Sequence, residues 1–293
     1  MNKQIEEMYK KQKNRRLKAV VTGIVIYTVM MSGISVFLGN PFPHKENVLV
    51  WETTVPGWVI TDSYLLWVCA VVGVLVVVGN TVCSILRPFH RIDQILLREC
   101  DARRYLEMMD YAVTYGERLK WKGLQKTVFW VSEQKYVTAL TVNQKFEEAE
   151  YYLNQKYKGK ANSRAYRLAV VNLELAEKFA KKEEDSFCKT LLTAGKPFAT
   201  NRLIIAKKFL LKRDYETAAA VLAEREEKIP YYEVGRNFLL GECYAELGNQ
   251  SQAAECMKFV ERYGNTLPCK AIAQEWLSRT SLFFLEQKEN FSE

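Results

Sequence analysis

Asn237–Val260 reads NFLLGECYAELGNQSQAAECMKFV. Apolar residues recur every three or four positions up to Tyr244, and a second periodic run starts after Asn249. That spacing predicts two helices, each with one buried stripe. Gly248 between them suits the positive φ needed just past a helix end. Leu240-Gly241, Tyr244, Ala253 and Met257 fall on the facing stripes. Gly241 and Ala253 lie where the helices should cross, because only small side chains let two backbones approach.

Thirty-five residues earlier the same order returns. Ala206 takes the place of Gly241, Phe209 of Tyr244, Ala218 of Ala253 and Leu222 of Met257. Tyr215 follows the turn and Pro230 ends the unit. A period near 34 residues of paired helices marks a stacked repeat, in which each pair buries its stripe on the next. Two in-phase copies resemble the tetratricopeptide repeat, whose pattern sets a Leu-Gly pair, an aromatic, a turn glycine and a small alanine in this order. A third copy upstream is TALTVNQKFEEAEYYL, with Val137, Leu140, Phe146, Ala149 and Leu153. The interval to the next unit leaves room for a diverged pair within residues 163–194, which lacks the signature residues. CDARRYLEMMDYAVTYG, residues 100–116, reads as a second helix without a marked first. Thr266–Gln287 reads as a final capping helix opened by Pro268.

The resemblance implies a stack of antiparallel helix pairs over residues 87–293 that binds a protein or peptide segment in the concave groove lined by each first helix. By register, Arg202, Lys207 and Leu211 face that groove, with Phe238, Glu242 and Glu246 in the next unit. Lys207-Lys208 and Lys212-Arg213 would make one side basic; otherwise these lysines simply face water.

The first 86 residues differ in kind. Residues 19–38 (AVVTGIVIYTVMMSGISVFL) and 64–86 (YLLWVCAVVGVLVVVGNTVCSIL) carry no charged side chain. About 20 apolar residues suffice for a helix to cross a bilayer core of ~30 Å. Both runs are therefore predicted to span a membrane. Of the formal net charge of +8, residues 1–18 hold seven Lys/Arg against Glu6 and Glu7. Arg87 and Arg91 follow the second run, while the loop 39–63 has Lys45 against Glu46, Glu52 and Asp62. Positive charge stays inside, so both termini should face the cytoplasm of a plasma membrane, bacterial by impression. The basic segment 1–18 would meet anionic headgroups. Ile5, Met8 and Tyr9 form a faint apolar stripe there, and an ordinary solvated flank is the expected reading. The expected fold class is thus all-α: a two-helix membrane hairpin followed by a helical solenoid.

Catalytic patterns were sought and not found. Gly195-Lys196 lacks the earlier glycine and the strand of a phosphate loop. The only histidines are His44 and His90, in no metal motif. Seven cysteines without CxxC spacing read as reduced structural thiols. Carboxylate pairs such as Glu147-Glu148 read as solvated helix faces. No cofactor or metal is expected, nor nucleic acid, since the excess charge abuts the membrane. The expected role is a membrane-anchored scaffold for protein binding. The alternative is an accessory subunit that binds a transporter or membrane enzyme through its spans.

Overall fold

The computed structural model describes residues 2–10, 87–119, 124–159 and 163–290, with isolated helical positions within 21–28 and 71–83. Among the described residues there is no strand, and the fold is all-α. Two compact units are present: Met1–Ile5 with His90–Glu293, and Glu6–Phe89.

Helix α1 is Asn2–Lys10. Ile5, Met8 and Tyr9 are 0, 2 and 1% exposed. The faint stripe is thus a buried face, and three apolar positions suffice because they recur at helical spacing. The two apolar runs, 19–38 and 64–86, lie largely outside the described residues, and the loop 39–63 lies wholly outside them. Their described positions are helical, with Val21, Ile24, Val74 and Leu75 between 50 and 63% exposed. No helix among the described residues is long and apolar enough to cross a membrane.

The larger unit is an array of antiparallel pairs. Helix α2 covers 87–97 and pairs with α3, Ala102–Arg118. Next come α4, Leu124–Val142, and α5, Phe146–Tyr151, which runs on as a π-turn over Tyr152–Lys156. Then α6, Arg164–Ala180, pairs with α7, Glu184–Thr193. A short helix α8, Lys196–Ala199, leads to α9, Arg202–Leu211, and its mate α10, Tyr215–Ala223. The last pair is α11, Pro230–Glu246, with α12, Gln250–Tyr263, closed by α13, Pro268–Asn290. The segment 163–194 is therefore a full pair, and the second helix predicted at 100–116 has its first helix in α2.

One turn recurs in all five pairs. A residue with positive φ ends each first helix: Cys100 (54°), Gln144 (59°), Lys182 (58°), Arg213 (59°) and Gly248 (78°). The next amide then reaches back to a carbonyl in the last turn: Lys145 to Leu140 and Asp214 to Phe209, each at 2.9 Å, and Asn249 to Tyr244 at 2.8 Å. In the four pairs after the first, the amide of the positive-φ residue bonds three back, as Arg213 does to Leu210 at 3.0 Å; in the first, the Asp101 amide reaches six back to Ile95 at 3.0 Å. This double bond pattern satisfies carbonyls that the helix leaves orphaned. Asp101, Asp214 and Asn249 then cap the second helix by accepting from the amides of Arg104, Thr217 and Gln252.

Four residues after each cap comes a buried contact position. It is Ala149, Ala218 and Ala253 in three pairs, and Tyr105 and Phe187 in the other two; none is more than 2% exposed. Gly241 faces Ala253's helix so closely that a Cβ there would lie 3.3 Å from Cys256 Cβ and 2.9 Å from Met257 Cε. Ala206, Ala218, Leu222, Leu239, Leu240 and Cys243 form one core across neighbouring pairs, with Phe209, Tyr215 and Tyr244 against it. Pro230 is the first residue of α11, where its missing N–H costs nothing.

The ends of the array touch. The Arg103 amide donates to Thr266 Oγ1 at 3.0 Å, and that hydroxyl donates to Asp101 Oδ1 at 2.8 Å. Asn265 Nδ2 donates to the Glu99 carbonyl at 2.9 Å. The turn of the first pair thus meets the loop before the closing helix, some 165 residues on, and the first helices line a half-open hollow.

Candidate binding cavity

The hollow is a half-open cavity of about 630 Å³. Every first helix contributes: Asp93 and Leu96 from α2, Lys135 and Thr138 from α4, Asn172 and Phe179 from α6, Ile204 and Lys207 from α9, Tyr231 and Phe238 from α11, Cys269 from α13. That volume lies in the range of small-molecule sites, ~300–1,000 Å³.

Its walls carry two charged centres. At one, Lys135 Nζ donates to both oxygens of Asp93 at 2.8 and 2.7 Å, and the Tyr105 hydroxyl donates to Asp93 Oδ1 at 3.2 Å. Burial first, then the neighbouring carboxylate, raise the Tyr105 hydroxyl above its usual range. This centre is internally neutralised. At the other, Lys207 Nζ lies 4.8 Å from the centre of the Phe179 ring, a cation–π distance. Among the described residues no hydrogen bond or ion pair is recorded at this ammonium. It is half-buried, and protein mass around it desolvates the charge and lowers its pKa, with Glu242 opposing the shift.

Glu242 answers from α11 without reaching ion-pair distance. Burial pushes its carboxyl up to about 7, against the pull of Lys182 and Lys207. Tyr231 lines the floor, and burial raises its hydroxyl, with Tyr232, Cys269 and Cys100 beside it.

Of the six residues predicted to face a groove, Lys207 and Phe238 line the cavity. Lys207 is half-buried in the cavity lining. Arg202 turns away: its guanidinium donates to Glu227 at 2.7 Å and to the Arg225 carbonyl at 3.2 Å. It fastens the loop after α10, since Glu233 from α11 also accepts the Glu227 amide at 2.7 Å. Leu211 and Glu242 are half-buried, and Glu246 is exposed at the end of α11. The repeat-signature residues Ala206, Ala218, Gly241 and Ala253 are buried contacts between helices.

Sequence reasoning passed over Asp93, Lys135 and Tyr231. It also missed Glu133, 0% exposed on α4, which accepts the Lys158 amide at 2.7 Å and the Tyr152 hydroxyl at 3.3 Å. Its Oε2 is buried with no hydrogen-bond partner. The signal was present: Phe129, Glu133, Val137 and Leu140 share one helical stripe, as Leu203, Lys207 and Leu211 do on α9.

Among the described residues no group of three metal-capable side chains converges, and Cys83, Cys100, Cys188, Cys243, Cys256 and Cys269 are free thiols. Compared with protein-family models, curated proteins and solved structures, the chain matches none.

Proposed function

We propose that this protein is a membrane-anchored, tetratricopeptide-like adaptor that binds a protein partner at the cytoplasmic face. Residues 19–38 and 64–86 form the anchor, the basic flank 1–18 meets anionic headgroups, and both termini lie inside. The observation that carries the reading is the turn repeated in five pairs, which sets every first helix around a common concave side. Stacked pairs of this kind serve as rigid surfaces for other chains. Support for the anchor comes from the two charge-free runs, in which Val21, Ile24, Val25, Val71, Val74, Leu75 and Val78 are half exposed or more. Such surface is unfavourable in water and ordinary in hydrocarbon. The partner segment engages the rim at the ends of α9 and α11, where Leu211 and Glu246 stand outside the cavity.

Site-specific photo-crosslinking in intact membranes tests this. A crosslinker at Glu246 should trap one defined protein, while crosslinkers at Val74 and on the far face at Glu261 trap none. If Val74 captures a protein and Glu246 does not, the chain is instead an accessory subunit held through its spans.

A further inference from the structure

Nothing in the adaptor reading requires a half-open cavity between the first helices, yet one is present and it is chemically lopsided. We infer that the cavity is a binding site for a small organic acid, one carboxylate on an apolar or aromatic body, with Lys207 as its counter-ion. This goes beyond the adaptor role and holds whether or not a partner binds the rim.

Three charged side chains line the space: Asp93, Lys135 and Lys207. The first two neutralise each other through two short hydrogen bonds. Lys207 is left as the one cation of the lining without a bonded anion among the described residues. A desolvated ammonium gains most from an ionised acceptor brought to it, because water no longer competes. Its present neighbours do not supply one. Phe179 offers only a ring face, and Glu242 stands beyond ion-pair distance with a carboxyl held near neutrality by burial.

The remaining walls choose the rest of the ligand. Phe146, Phe179, Phe198, Phe238 and Leu203 are apolar or aromatic, and they surround a space of drug-like size. A phosphate or a dicarboxylate would bring about two charges to one ammonium, leaving a surplus that no second free cation of the lining meets. Such anions are met by arginine forks or several backbone amides, and no arginine lines this cavity. A single carboxylate on an apolar body matches both the charge and the walls. Gly235 also lines the space, and a Cβ built there meets nothing within 4 Å, so a larger side chain at that position would grow into the hollow.

The test uses the full chain in phosphatidylcholine nanodiscs and the fluorescence of 2-naphthoate, with 2-naphthamide as its uncharged isostere and empty nanodiscs as reference. The acid should bind saturably and about tenfold more tightly than the amide, the factor a single charge-assisted contact supplies. Lys207→Met should erase that preference while leaving amide binding unchanged, and Lys207→Arg should keep it. Gly235→Leu, which leaves the ammonium in place, should abolish binding of both probes. Absence of saturable binding, equal affinity of acid and amide, or a preference that survives Lys207→Met overturns the assignment. Should the lysine variants fail to fold, undiminished acid binding by Gly235→Leu overturns it alone.

Discussion

Glu133 is a carboxyl group with nowhere to put its charge. Burial lifts its pKa to about 7, more than the Lys158 amide and the Tyr152 hydroxyl can offset. The folded pKa therefore exceeds the unfolded one. Below the unfolded value the group is protonated in both states and costs nothing. As the pH rises toward 7 the unfolded chain ionises freely and the folded one resists, so stability is lost over that window. The loss is on the order of 2–3 kcal/mol. Glu133→Gln removes the ionisation while keeping a carbonyl for the Lys158 amide. Thermal unfolding at about pH 5 and about pH 8 should show the variant gaining on the native protein as pH rises; an unchanged difference would refute the assignment. Both Glu133 and Lys207 lie in helical stripes of apolar residues, and that is how each could have been read from sequence. What could not be read is which of the two a neighbouring element would satisfy. The loop at 157–159 folds back to give Glu133 an amide, whereas Lys207 is given only a ring.

At the scale of the element, the hairpin turn is the repeated invention of this chain. Gly248 occupies its positive-φ position at 78° with open space around it. Gly248→Ala should cost about 1 kcal/mol through backbone strain alone. The same position in another pair is Arg213 at 59°, where Arg213→Gly should be neutral or stabilising by up to about 1 kcal/mol. Chemical denaturation of both variants measures the contrast; equal effects would mean that the turn is not what sets the cost. Here too lies the reason the pair at 163–194 was hard to recognise. The glycine and alanine of the better-marked pairs let helices approach, but the geometry needs only a turn and a buried side chain that fits. Phe187 fills the slot of Ala218 and Lys182 adopts the φ of Gly248, so the fold repeats where the letters do not. Gly241, by contrast, was legible because no Cβ fits easily between α11 and α12.

The whole array is tied head to tail by a few exposed hydrogen bonds at Thr266 and Asn265. Nothing local predicts this contact, since closure depends on the summed rotation of all five pairs and not on any residue pattern. Thr266→Val deletes the acceptor for the Arg103 amide and the donor to Asp101. Hydrogen exchange should then quicken at Arg103 and its neighbours by about tenfold, with global stability lowered by only about 1 kcal/mol. Unchanged exchange there would mean that apolar contacts alone hold the ends together.

Open stacks of helix pairs can grow by duplicating a unit, because each new pair needs only its predecessor. Here the turn before α3 has already met the loop before α13. A sixth pair would have to push between Asp101 and Thr266, and losing one would leave them unable to meet. Lengthening by insertion of a pair is thereby disfavoured, and variation should gather on the outer helices instead.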